Sequence, residues 1–487
     1  MEVLLKIWIF FVNNILTQPA YFIGFIVLIG YILLKKPWYE CLAGFLKATV
    51  GYLILTVGSG GLVGNFRPIL VGLKDKFNLQ ATVIDPYYGQ NAVQSAMEHI
   101  GKSFSQVMLL LLIAFIFNIL LVAFRKITKI RSIFTTGNVQ IQQAATAFWL
   151  IFFCFPELGD TPILIVMSLL LGLYWAVGSN LTVEITQDLT EGGGFCVAHQ
   201  QIFALKIFST IAEKIKGKGE GKKLEDIKLP GFLSIFNENM VSTAILMLLF
   251  FGVILITLGK DYLIENKFMK EGQSFFFYTL TTALYFAVYL AILQLGVRTF
   301  VTELTQSFQG ISTRLLPGAV PGIDCAATFG FGSANAVTIG LLFGAAGQFL
   351  AIITLILLKS PVVIIAGFIP VFFDNATIAV FANNRGGVKA ACILPFISGL
   401  CQVFGSAFIS YWVGLAAYGG YLGMWDWAVL WPGFTIIMKY LGYIGIGIVA
   451  LILIAIPQIQ YLKNKDTYFL ITDDYEAYKE KMKSKIN

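Results

Sequence analysis

Four short stretches of this sequence carry polar residues whose spacing suits ligand binding. In Asp85-Pro-Tyr-Tyr-Gly-Gln90, Tyr87 can stack on a ring and donate a hydrogen bond. In Thr135-Thr-Gly-Asn-Val-Gln-Ile-Gln-Gln143, Asn138 and Gln142 stand four apart, so a helix puts them on one face, at the mouth of an apolar segment. In Glu191-Gly-Gly-Gly-Phe-Cys-Val-Ala-His-Gln-Gln201, three glycines break the backbone beside His199, Gln200 and Gln201. Such broken backbone is tolerated in a membrane only where it lines protein or a watery cavity. In Leu316-Pro-Gly-Ala-Val-Pro-Gly-Ile-Asp-Cys325, two Pro-Gly pairs precede Asp324 and an uncharged run follows it. That pattern reads as the tip of a hairpin or an interrupted helix presenting a carboxylate at membrane depth. Each stretch also has a plainer reading: a loop, a polar contact between helices, a structural histidine, and an aspartate capping a helix.

Covalent and metal chemistry find little support. The cysteines Cys41, Cys154, Cys196, Cys325, Cys392 and Cys401 are scattered, form no CxxC pair, and read as buried free thiols. No second histidine or cysteine stands at ligand spacing from His199, so no metal site is expected. The sequence has no Walker A motif, no HExxH and no triad ordering, which argues against ATP-driven pumping within this chain. No cofactor is expected.

The elements that must position these residues are membrane helices. Of the 487 residues, 57% are hydrophobic and 13% charged, and the mean hydropathy is +0.79. A soluble protein needs more charge than this to cover its surface. Residues 7–34, 48–66, 132–156, 161–183, 240–259, 272–297, 325–358, 390–425 and 440–462 carry no Asp, Glu, Lys or Arg, and a spanning helix needs roughly 20 apolar residues. The runs predict spans near 20–34, 42–57, 106–124, 140–156, 161–178, 240–259, 275–297, 335–357, 361–381, 390–418 and 433–456. The first is read as a retained span and not as a signal peptide. The net charge of +7 sits in loops and tail, as in membrane proteins, and does not suggest nucleic acid.

Eleven spans put the basic segments on one side. These are Lys35-Lys36, Arg125 to Arg131, the seven lysines of 206–228, Arg298 with Arg314, Arg385 with Lys389, and the tail from Lys463. The positive-inside rule then places the N-terminus outside and the C-terminus in the cytoplasm. Lys-Gly-Lys-Gly-Glu-Gly-Lys-Lys at 216–223 reads as a flexible, exposed linker. Residues 1–205 would form a first half, 206–228 the linker, 229–460 a second half and 461–487 the tail. Gly231-Phe-Leu-Ser-Ile-Phe-Asn-Glu-Asn239 matches Gly367-Phe-Ile-Pro-Val-Phe-Phe-Asp-Asn375. Duplicated halves are common in transporters. The fold expectation is therefore an all-α polytopic membrane protein with about eleven transmembrane helices, re-entrant hairpins and an inverted five-plus-five repeat.

An ordered set of motifs resembles a known family over nearly the whole chain. The matches are Gly58-Ser-Gly60, Asp85-x-Tyr87, Arg131 leading to Thr136-Gly137 and Gln142-Gln143, Gly194-Phe195 with His199-Gln-Gln201, Lys228-Leu-Pro-Gly231, Gly318-Ala-Val with Ile323-Asp-Cys-Ala-Ala327, and Gly367-Phe-Ile-Pro-x-Phe-Phe-x-Asn-Ala-Thr-Ile. Together they resemble the membrane IIC component of the ascorbate-specific phosphotransferase system. The galactitol-type IIC proteins are the relatives most easily confused with it.

The resemblance implies a homodimer of eleven-span protomers in the cell membrane, each with interleaved core and dimer-contact subdomains. It implies that L-ascorbate is bound in the bilayer and presented to a separate cytoplasmic IIB protein. That protein is served by a IIA partner and carries a phosphocysteine, and the product is ascorbate 6-phosphate. The phosphoryl carrier would thus lie on another chain, leaving this one as the transport component of a phosphotransferase complex. The family's binding positions fall on Pro86, Tyr87, Asn138, Val139, Gln140, Ile141, Gln142, His199, Gln200 and Asp324. Two positions depart from the family pattern: Pro86, where Thr is usual, and Asn138, where His is usual. The amides suit several hydroxyls, Tyr87 suits a planar ring, and Asp324 suits the hydroxyl tail of an anionic enediol. The alternatives are an ion-coupled secondary transporter, a galactitol-type permease for a related polyol or sugar acid, and a binding protein that has lost transport.

Overall fold

The computed structural model describes residues 19–486 except 78–79, 217–221, 229, 238 and 317–318. Its long helices, in chain order, are α1 (Pro19–Leu33), α2 (Trp38–Phe77), α3 (Pro86–His99), α4 (Ser105–Ala123), α5 (Gly137–Cys154), α6 (Asp160–Thr190), α7 (Ile202–Lys216), α8 (Asn239–Leu258), α9 (Phe275–Leu315), α10 (Ala334–Leu357), α11 (Asn375–Trp412), α12 (Trp431–Lys463) and α13 (Tyr475–Ile486). Among the described residues, six helical stretches are long and apolar enough to cross a membrane, and α1, α8 and α9 hold shorter apolar stretches. The chain is a multi-pass membrane protein. Helices α1, α2, α8 and α9 pack on one another, while α10 packs on α11 and α4 on α6.

Among the described residues, six short strands stand between these helices, which an all-α expectation does not contain. They are β1 (Gln80–Ile84), β2 (Ser132–Phe134), β3 (Cys196–Val197), β4 (Val320–Ile323), β5 (Val362–Ala366) and β6 (Gly420–Tyr421). They form two three-stranded sheets, ordered β5-β1-β6 and β2-β4-β3, with every pair parallel. Parallel strands covered on both faces read as unbroken apolar runs, as Val362-Val-Ile-Ile-Ala366 does. Such a run is hard to tell from helix by periodicity.

That ambiguity corrects the start of the span expected at 361–381, whose part from Pro370 belongs to a helical stretch long and apolar enough to cross a membrane. Residues 362–366 are strand, 370–374 a π-helical turn, and the long α-helix runs on from Asn375. Helix α11 then continues through the predicted 381–390 gap, broken at Gly387, whose φ of 70° and ψ of −165° suit only glycine.

Residues 206–228 are also not a free linker over their described part. Residues 206–216 belong to α7, which buries Phe208, Ser209 and Ala212. Beyond it Leu224 is buried. Its N–H donates to Asn383 Oδ1 at 2.9 Å, and Asn335 Nδ2 donates to its carbonyl at 2.8 Å. A single apolar side chain and two amides suffice to fasten the segment. The intervening 217–221, the first 18 residues and the Pro317-Gly318 pair lie outside the described residues.

The two segments matched as a repeat, at Gly231 and Gly367, each lead into a helix that begins at the corresponding asparagine, Asn239 or Asn375.

Candidate functional site

Because the strands are parallel, each sheet delivers its chains at one edge. From the β2-β4-β3 sheet emerge Thr135-Thr136 after β2, Asp324 after β4 and Ala198-His199 after β3. Three sequence-distant stretches are thereby brought together. Thr135 Oγ1 donates to Gly322 O at 2.7 Å and Ala198 N to Ile323 O at 2.8 Å, which locks the edge.

Helix α5 starts at this edge. Its N-cap, Thr136, makes no side-chain capping bond, and Thr136 Oγ1 is buried without a partner. The first N–H groups of a helix have no intrahelical acceptor and carry the positive end of its dipole, so an open first turn attracts anions. Asn138 is half-buried there, while Val139 and Ile141 pack inward. Gln140 is turned back to donate to Phe134 O at 3.2 Å. Gln142 accepts from Gln200 Nε2 at 2.9 Å, and Gln200 Oε1 is left buried without a partner.

His199 is the hub of the other side. Its Nδ1 pairs with Gln201 Oε1 at 2.6 Å, and its carbonyl accepts from Gln143 Nε2 at 3.2 Å. The ring stacks on Phe373, with centroids 6.1 Å apart, and its Nε2 lies 3.9 Å from Asp324 Oδ2. Asp324 has two duties. Oδ1 caps the following 3-10 turn by accepting from Ala326 N at 2.9 Å, and Oδ2 faces His199. The aspartate is thus a helix cap with one oxygen to spare. His199, Asp324 and Cys325 bring ligand-type atoms within 4.8 Å of one another, a cluster that linear spacing does not reveal.

Pro86 and Tyr87 start α3 at the edge of the other sheet. Asp85 caps that helix by accepting from Tyr87 N at 3.0 Å. Pro86 occupies the first helical position, where a missing N–H costs nothing. The departure from threonine there is therefore neutral for the backbone. Helix α3 packs on α5.

The geometry is that of polar side chains gathered at strand ends and helix termini inside a membrane protein. A family model described as the PTS system sugar-specific permease component matches residues 14–428. The chain belongs to this permease family. It is also similar to the ascorbate-specific PTS system EIIC component of Mycoplasma pneumoniae, 33% identical over 434 residues. That match covers 81% of this chain and 65% of the relative's length.

The three-glycine break lies against protein at Gly192. Glu191 ends α6 in the left-handed region at φ 50°. Tyr475 of α13 lies directly over Gly192, and Gly193 N donates to Thr190 Oγ1 at 3.0 Å. The break turns the chain toward β3, with Gly192 under Tyr475 of the tail and Gly193 and Gly194 exposed.

Sequence reading overlooked Phe373, Asp374 and Asp426. Asp426 accepts from Phe203 N and Ala204 N, both at 3.0 Å, and from Tyr174 Oη at 2.7 Å, and so caps α7 just past the His199 hub. Its signal was available: it is the charge that ends the long uncharged run 390–425. Phe373 and Asp374 lay inside the quoted Gly367 motif.

Proposed function

We propose that this permease binds L-ascorbate, carries it across the membrane and presents its terminal hydroxyl to a separate cytoplasmic IIB protein. The phosphoryl group passes from the IIB phosphocysteine to that hydroxyl. The S–P bond breaks, an O–P bond forms, the hydroxyl proton leaves, and the product is ascorbate 6-phosphate. The carrying observation is the open first turn of α5 beside the Gln142–Gln200 pair. A planar anionic enediol fits a helix N-terminus flanked by amides that both donate and accept. Asp324 Oδ2, facing His199, suits the neutral diol tail. The ascorbate-specific relative supports the substrate class.

In this reading the chain has eleven spans in an inverted five-plus-five arrangement with one extra helix. Its N-terminus is outside, its tail is cytoplasmic, it forms a homodimer, and IIA recharges IIB. The test is uptake of labelled ascorbate into vesicles loaded with phospho-IIB, unphosphorylated IIB or neither. Ascorbate 6-phosphate accumulating only with phospho-IIB is expected. Accumulation of unmodified ascorbate driven by an ion gradient would replace this reading with a secondary transporter. A reporter fused after Ile486 that works only outside the cell would overturn the orientation.

A further inference from the structure

The chain beyond α12 folds back on the β2-β4-β3 sheet. Its short helix Leu470–Asp473 buries Ile471 in one apolar cluster with Val183 of α6, Cys196 of β3 and Val320 of β4. Cys196 opens β3 and Val320 opens β4. Arg131, the residue before β2, meets the tail as well. Its Nη1 donates to Tyr468 O at 2.7 Å, and its guanidinium lies 3.7 Å over the Tyr468 ring. The Arg131 carbonyl in turn accepts from Val320 N at 2.9 Å. Tyr468 Oη donates to Lys129 O at 2.6 Å and accepts from Asn180 Nδ2 at 2.9 Å.

The tail therefore meets the sheet where its three strands begin. Thr135, His199 and Asp324 leave the same sheet where the strands end. The strands hold three, two and four residues, so at about 3.3 Å per residue the two edges stand only about 10–13 Å apart. A sheet this small has little stability of its own. Close-packed side chains transmit strain, so a shift at one edge reaches the other. The 3.9 Å between His199 Nε2 and Asp324 Oδ2 depends on β3 and β4 keeping Cys196 beside Gly322 and Val197 beside Ile323. Ile471 shares its cluster with one residue from each strand of that pair.

We propose that Ile471 and Tyr468 are positioning residues of the ligand site. They hold the entry edge of the β2-β4-β3 sheet in the register that brings His199 and Asp324 together at its exit edge. Both are buried, and both lie beyond residue 428, where the match to the permease family model ends. The tail is thus an addition of this chain that braces the site from behind. Two buried thiols mark the two edges: Cys196 at the entry, Cys325 beside Asp324 at the exit.

The test uses the purified full chain in detergent, with two readouts. One is ascorbate affinity by isothermal titration. The other is the rate at which a maleimide labels Cys196 and Cys325, read peptide by peptide by mass spectrometry. Ile471→Ala should weaken ascorbate binding about threefold to thirtyfold and speed labelling of both thiols. Tyr468→Phe, which keeps the ring and loses the hydroxyl, should act in the same direction and serves where Ile471→Ala does not fold. Leu255→Ala, a buried truncation on α8, should lower stability and move neither readout. Faster labelling of Cys196 alone, with parent affinity, would make the tail only a cover and overturns the proposal. So do parent values throughout, or equal effects from Leu255→Ala, which would mean general loosening. The affinity readout rests on His199 and Asp324 being ascorbate contacts; the labelling readout does not. Faster labelling of Cys325 with unchanged affinity would keep the brace and remove those two residues from the ascorbate site.

Discussion

Gln200 Nε2 donates to Gln142 Oε1 at 2.9 Å across 58 residues of sequence, joining the first turns of α5 to the segment that enters α7. Gln200 keeps its Oε1 buried without a partner. Gln200→Leu should therefore cost twice, by leaving Gln142 Oε1 without its donor and by removing the partnerless Oε1 of Gln200. Ascorbate binding should weaken about tenfold to a hundredfold, from the loss of about 1.5–3 kcal/mol. Isothermal titration with the purified chain reads it, and unchanged affinity would place the pair outside the site.

Asp324→Asn separates cap from ligand. Asparagine still caps the 3-10 turn through its side-chain oxygen, so the fold should hold. The charge facing His199 is lost, and ascorbate affinity should fall about tenfold to a hundredfold. Parent-like binding and transport would make Asp324 a cap only; failure to fold would favour the structural role.

Gly367→Ala tests how the second sheet meets α3. A Cβ at 367 would stand 2.5 Å from Asp85 Cβ and 2.6 Å from Ile84 O, and backbone cannot give way cheaply. A loss of about 1–3 kcal/mol is expected, seen as a lower unfolding temperature. No change would show that the approach of β5 to Asp85 is looser than described.

Arg131→Lys tests the seam with the tail. The fully buried guanidinium bonds Asn180 Oδ1 at 3.0 Å, Tyr468 O at 2.7 Å and Glu184 Oε1 at 2.7 Å, and stacks over the Tyr468 ring. Lysine keeps the charge and loses the fork. A loss of about 2–3 kcal/mol is expected, with faster proteolysis beyond Asn464.

The cluster of His199, Asp324 and Cys325 is expected to work without a metal. One carboxylate oxygen is already engaged with Ala326 N, and Cys325 is wholly buried. Cys325→Ser and treatment with a chelator should each leave ascorbate binding within about twofold. Loss of binding on chelation, restored by zinc, would reassign the cluster.

The sequence by itself determined a polytopic membrane chain and the stretches that bear the polar residues. Charge is too expensive in a bilayer to be placed without leaving a visible gap on either side, and that is why Asp324 and the runs around it were legible. Tyr87, Gln142, His199 and Gln200 stood out for the same reason, polar groups beside apolar helices. Only the tertiary structure decided which of them meet. The His199–Asp324 approach and the Gln142–Gln200 bond depend on three strands of two to four residues pairing in parallel, and pairing between distant strands has no local periodicity to betray it. The same blindness turned the strand at 362–366 into part of a span and the anchored Leu224 into linker, because a buried strand and a single buried side chain look, residue by residue, like helix and loop. Burial also decided Asp374 and Asp426. Both are plain acidic residues in the chain, and only the packing of α7, α10 and α11 around them shows one as a cap with its oxygens filled and the other with an oxygen left over.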